Sequence, residues 1–145
     1  MTNNVILLVE DNESDVDLTK RALRKSRISN PLIVARDGAQ ACDFLFGTGT
    51  YAGRDTKQMP ALVLLDLKLP VIGGLEVLRR IRADPRTRRV VVIILTSSDA
   101  VPDIGSAYDI GINSYLRKPV DFEKFSTVIE QLGLYWLLTN IGPPL

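Results

Sequence analysis

At 145 residues the chain is of single-domain length, read as one domain over residues 1–145, and can close a two- or three-layer core. It has no histidine and one cysteine, Cys42, which excludes Ser-His triads, histidine metal centres and an internal disulfide, and fits a reducing cytoplasm. A formal net charge of +1, from 18 basic and 17 acidic residues, gives no broad basic field for nucleic acid. The apolar runs are strand-length and no signal peptide precedes Val5, so a soluble protein without membrane contact is expected.

Along the chain, strand and helix alternate five times. Val5 to Glu10 predicts a buried strand, and Ser14-x-x-Asp17 resembles a capping box opening a helix with Val16, Leu18, Ala22 and Leu23 on its apolar side. Pro31 to Ala35 reads as a second strand and Gly38 to Phe46 as a helix. Gly47 to Pro60, with three glycines, is a long loop that is either mobile or a contact surface. Leu62 to Asp66 is a third strand, and Pro70 to Gly74 turns into a helix that runs to Ala83 and stops at Asp84-Pro85. Val90 to Leu95 leads a fourth strand to Thr96. A helix from Pro102 to Ile110 ends at Gly111 in a left-handed cap, a short strand Ser114 to Arg117 ends at Lys118, and Lys118-Pro119 breaks into the last helix. This alternation predicts an α/β fold, a doubly wound five-stranded parallel sheet with helices on both faces.

In such a sheet, ligands bind outside the carboxyl ends of the strands. Glu10, Asp11, Asp66, Thr96 and Lys118 all stand where an apolar run gives out, so they should converge on one pocket of three carboxylates, a hydroxyl and an ammonium. Carboxylates gathered so closely repel one another unless a cation joins them. With hard oxygen donors and no histidine, Mg2+ is the expected ion. Positive charge around Asp66 suits a phosphoryl group, with Asp66 as nucleophile and Lys118 neutralising a phosphoryl oxygen.

Val9-Glu10-Asp11-Asn12, Leu65-Asp66-Leu67-Lys68-Leu69-Pro70 with Gly73-Gly74, Thr96-Ser97 and Lys118-Pro119, in this order and spacing, resemble the CheY-like receiver domain of two-component response regulators. The resemblance runs from about Asn4 to about Leu138 and implies a flavodoxin-like receiver fold with no output domain attached. It implies Asp66 as phosphoacceptor, Asp11 as direct Mg2+ ligand, Glu10 acting through water, and the Lys68 carbonyl completing the metal shell. Thr96 would bind a phosphoryl oxygen in the active form, Lys118 another, and Tyr115 would turn inward as Thr96 moves. The implied partners are a sensor histidine kinase or histidine phosphotransfer protein, and a second copy of the chain across the fourth helix, fifth strand and fifth helix. The long Gly47 to Pro60 loop and the Leu134-Tyr135-Trp136 ending are similar to stand-alone receivers of phytochrome-type kinases. Gly73 stands where receivers often have aspartate, which should alter only the turn. Lys68 and Ser98 occupy positions that influence aspartyl-phosphate hydrolysis in the family.

Two other classes compete. A haloacid-dehalogenase-type phosphatase needs a second acid two residues after its nucleophile, and Lys68 stands there instead. A phosphorylation-independent interaction module of the same fold remains the alternative, opposed by the intact Asp11, Asp66, Thr96 and Lys118. Elsewhere, Cys42 reads as a small core residue. Arg79, Arg80, Arg82, Arg86, Arg88 and Arg89 read as a solvated face, and Gly73-Gly74 as the turn into a helix. In the last helix Phe122, Phe125, Ile129, Leu132 and Trp136 form the stripe expected on the sheet. Val128, Tyr135 and Leu138 lie on another face, and the apolar Leu134 to Leu138 suggests an extra interface.

Overall fold

The structure is a computed structural model and describes residues 5–97, 100–118 and 121–139. Strands β1 (Ile6–Val9), β2 (Leu32–Ala35), β3 (Leu62–Leu65), β4 (Val92–Thr96) and β5 (Ser114–Arg117) form one five-stranded sheet in the order β2-β1-β3-β4-β5. Every neighbouring pair is parallel, with Ile6 opposite Leu32 and Leu62, and Ile93 opposite Ser114. The central strands β1, β3 and β4 are buried throughout while β2 and β5 at the edges are only partly covered, which is why the central three read as unbroken apolar runs.

Alternate strand residues serve opposite layers. Leu7, Val9, Val63, Leu65, Val92 and Ile94 pack with residues of α2 (Gly38–Phe46), α3 (Gly74–Ala83) and α4 (Val101–Ile110). Ile6, Leu8, Leu62, Leu64, Ile93 and Leu95 pack with α1 (Glu13–Lys25) and α5 (Phe122–Leu132). The predicted doubly wound sheet with helices on both faces is therefore the architecture found. Chain order reverses between β1 and β3, so their carboxyl ends flank the crevice where this fold places ligands.

Local chemistry moves some boundaries. The cap of α1 is Asn12, whose side chain accepts from the Asp15 amide, so the helix begins before the predicted Ser14 capping box. Asn12 stands directly behind the strand-end acids, and a cap there turns the chain sooner than Ser14 allows. Asp37 caps α2 and Asp121 caps α5 in the same way. Asp84, held extended before Pro85, ends α3 as expected. Gly111 closes α4 at φ 125°, a positive angle but outside the compact left-handed well that the sequence suggested.

The Gly47 to Pro60 segment is better anchored than its composition suggests. Arg54 donates from Nε to the Phe44 carbonyl and from Nη2 to the Leu45 carbonyl, tying the loop to the last turn of α2. Its Nη1 also reaches the Asp55 and Gln58 carbonyls, and its guanidinium lies over the Phe44 ring. Tyr51 meets Phe44 edge-on and Met59 is buried in the core. The arginine run is likewise not uniformly solvated. Arg79 and Arg80 pair with Glu76, and Arg86 with Asp84, on the surface. Arg82 instead spans the Gly111, Arg88 and Val90 carbonyls and Asn113 Oδ1, fastening the end of α3 to the chain around β4 and β5. Cys42 is buried, and that burial pushes its thiol pKa up, as an inert core residue requires.

In α5, Phe125, Ile129 and Leu132 are buried on the sheet with Phe122 and Trp136 beside them, the stripe expected from sequence. Beyond α5 the chain continues in wider π-helical turns, Gly133–Thr139. Val128 differs from the expected outward face, since it packs partly against the same core. Leu134 and Tyr135 do face outward, 53% and 50% exposed. The Leu138 side chain, Ser98 and Pro119 lie outside the described residues.

Candidate functional site

Backbone hydrogen bonds set the strand ends level with one another. The Glu10 amide donates to the Ala35 carbonyl, the Asp66 amide to Val9, and the Lys118 amide to Thr96 at 2.7 Å. Each of the three charged residues thus sits just past its strand and on a neighbour's last carbonyl. Gly74 holds the loop behind Asp66, its amide donating to the Leu67 carbonyl at 2.9 Å. A Cβ on Gly74 would come within 2.2 Å of the Asp66 carbonyl oxygen, so glycine is required there by close backbone approach. Gly73 meets nothing comparable and serves as the extended residue before α3, in keeping with the expected turn.

Carboxylate oxygens of Glu10, Asp11 and Asp66 lie within 4.8 Å of one another. Two oxygens on opposite sides of one Mg2+, each about 2.0–2.1 Å from it, stand roughly 4 Å apart, so the cluster has the span and the hard-oxygen chemistry for a single divalent cation. Glu10 and Asp66 are buried, 3% and 7% exposed, while Asp11 faces solvent. The Lys68 side chain is exposed and its amide stands 3.4 Å from Asp66 Oδ1, a long contact that keeps the loop turned toward the carboxylate.

Lys118 is the cation that the protein itself supplies. Its Nζ donates to Glu10 Oε1, to Asp15 Oδ2 at 2.9 Å and to Asp66 Oδ2 at 3.2 Å. Burial would lower the pKa of the ammonium, but hydrogen bonds to Glu10 and Asp15 and the charges of Asp66 and Glu10 outweigh it and hold Lys118 well above the usual lysine value. Burial acts oppositely on Glu10 and prevails there, with the Asp66 charge in support. The Glu10 carboxyl is pushed up to about 7 despite its bond to Lys118. One ammonium thus stays charged among more acids than it can neutralise, and the most buried acid holds a proton near neutrality.

Glu10, Asp11, Asp66 and Lys118 therefore meet as expected from sequence. Thr96 is fully buried at the end of β4, joined to Lys118 through its carbonyl. Tyr115, opposite Ile94, is half-buried against the core on the α2, α3 and α4 side. Asp15 was not among the residues singled out by sequence. Asp15 lies in the first turn of α1 whether Asn12 or Ser14 caps it, and only its tertiary contact with Lys118 brings it to the site.

Residues 6–130 match the response regulator receiver domain family. Among curated proteins, the probable methanogenesis regulatory protein FilR2 of Methanothrix harundinacea is 38% identical over 96% of this chain and 87% of its own length. Response regulator Rcp1 of Synechocystis sp. is 37% identical over 96% of this chain and 92% of its own. The crystal structure of Mn(2+)-bound Rcp1 superposes with a TM-score of 0.88 at 36% identity, covering 97% of this chain and 99% of that one. The phosphorylated cyanobacterial phytochrome response regulator RcpA gives a TM-score of 0.89 at 34% identity, covering 98% and 99%. With the sheet order, the acidic cluster and the strand-end lysine all in place, the chain belongs to the response regulator receiver domain family of two-component signalling.

Proposed function

We propose that the chain accepts a phosphoryl group on Asp66 from the phosphohistidine of a separate histidine kinase or phosphotransfer protein. The observation that carries this is the placement of Asp66, which has a carboxylate oxygen within 4.8 Å of Glu10 and Asp11 oxygens and Oδ2 3.2 Å from Lys118 Nζ. An Asp66 oxygen attacks phosphorus, the P–N bond of the donor breaks, and the imidazole leaves with its electron pair and takes a proton from solvent. Glu10, Asp11, Asp66 and the Lys68 carbonyl are the groups that would hold Mg2+. When bound, the ion supplies positive charge to the phosphoryl oxygens. Lys118 neutralises a second oxygen and keeps Asp66 aimed. Thr96 then closes on the phosphoryl group, and Tyr115 follows into the space it leaves. Taking such a two-state switch from mostly off to mostly on needs about 5 kcal/mol, within reach of a few charge-assisted hydrogen bonds.

The readout is altered contact across the face of α4, β5 and α5. Exposed Tyr135, on a groove also lined by Leu116, Val128 and Trp136, supports pairing with a second copy there. The likeness to RcpA supports a phytochrome-type kinase as donor. No helix among the described residues is long and apolar enough to cross a membrane, and a cytoplasmic site of action fits a donor charged from ATP. The test is intact mass after incubation with Mg2+ and acetyl phosphate. One added phosphoryl group, absent in Asp66→Asn, supports the proposal. If neither acetyl phosphate nor a phosphorylated kinase modifies the folded protein, a phosphorylation-independent interaction module takes its place.

A further inference from the structure

We propose that Asp15 is a positioning residue for the cation cluster, giving Lys118 an acceptor to keep when Glu10 and Asp66 turn to a divalent ion. The inference rests on Glu10, Asp11 and Asp66 forming a cation site and adds a residue outside that set. Lys118 Nζ has three carboxylate partners, Glu10, Asp15 and Asp66. Glu10 and Asp66 belong to the three-acid cluster and Asp15 does not. An ammonium held on the oxygens that a metal needs is a competitor for them.

Were Glu10 and Asp66 its only partners, filling the cluster would strand a lysine whose side chain is 11% exposed, and an unpaired buried charge is strongly unfavourable. Asp15 removes that obstacle. Its backbone is fixed independently of the cluster, with the amide on Asn12 Oδ1 at 3.0 Å and the carbonyl accepting from Thr19 Oγ1 at 2.8 Å. It stands in the first turn of α1, where the helix dipole favours a carboxylate. Asn at this position would be a weaker acceptor, so Lys118 would lean harder on Glu10 and Asp66 and the cluster would bind cations less well.

The test is a double-mutant cycle on the full chain, with Mn2+ as probe and the free-ion EPR signal as readout. Asp15→Asn should weaken Mn2+ binding about five-fold, as expected for losing one partly exposed ion pair. Asp15→Glu should restore it to within about two-fold, and in a Lys118→Met background the Asp15→Asn change should fall below about two-fold. Equal weakening in both backgrounds would mean that Asp15 acts on the cation directly and would overturn the proposal, as would no weakening in either. Circular dichroism melts of the variants identify any that fail to fold, and Asp15→Ser, which also removes the carboxylate, then carries the cycle with the same expected outcomes. A folded wild type that binds no Mn2+ would reject the cation site itself, a failure distinct from that of Asp15.

Discussion

Lowering the pH from 8 to 6 should weaken Mg2+ binding about ten-fold, because burial raises the Glu10 carboxyl to about 7 and a cation must displace its proton. With that value the ionised fraction of Glu10 drops from about nine-tenths to about one-tenth across the interval. Isothermal titration calorimetry in two buffers of different ionisation enthalpy reads both quantities. At pH 6 about one proton should be released per ion bound, and at pH 8 almost none. Glu10→Gln should bind Mg2+ more weakly with no such slope. A flat affinity between pH 6 and 8 in the wild type, or an equal slope in Glu10→Gln, would refute the reasoning. The same shift has a sign for stability. Folded Glu10 holds its proton more tightly than the unfolded side chain, so its contribution is fully present below about 4.5 and is lost as pH rises through about 7. Converted at 1.36 kcal/mol per unit, the loss in the metal-free protein is about 3 kcal/mol.

Arg82→Ala removes the donors to the Gly111, Arg88 and Val90 carbonyls and to Asn113, and should lower unfolding free energy in urea by about 3 kcal/mol. Arg82→Lys should recover little of it, since an ammonium cannot span that fork, and a loss below about 1 kcal/mol would mean that solvent replaces these bonds. Gly74→Ala drives a methyl into the Asp66 carbonyl, so it should cost about 2 kcal/mol or more and weaken Mg2+ binding in parallel. Unchanged melting and metal affinity would show that the loop yields freely.

The sheet and four of the site residues were legible because one physical rule governs both. Central parallel strands buried on both faces must be apolar, so Glu10 and Asp66 mark the ends of β1 and β3 and Asp11 follows at once, while Lys118 marks the end of the edge strand β5. Topology then brings the ends together. What sequence hid depends on tertiary partners. Arg54 and Arg82 look like solvated cations along the chain, yet each spends its donors on carbonyls of other segments. A glycine-rich composition made residues 47–60 look loose, because nothing local announces that Arg54 fastens them. Asp15 reads along the chain as an ordinary acid in the first turn of α1, and only its bond to Lys118, 103 residues away in sequence, brings it to the site. Val128 illustrates a limit of periodicity, since helical spacing alone separates faces less sharply than the packed α5 does.

The most direct measurement locates the phosphoryl group by residue. Protein treated with acetyl phosphate and Mg2+ is reduced with borohydride, which converts an aspartyl phosphate to homoserine, and is then sequenced by tandem mass spectrometry. Homoserine at position 66 alone, dependent on Mg2+ and abolished by Lys118→Met, is the predicted result. Homoserine at Asp11 or Asp15, or none at position 66 in folded protein charged by a histidine kinase, would contradict the assignment of Asp66 as the acceptor.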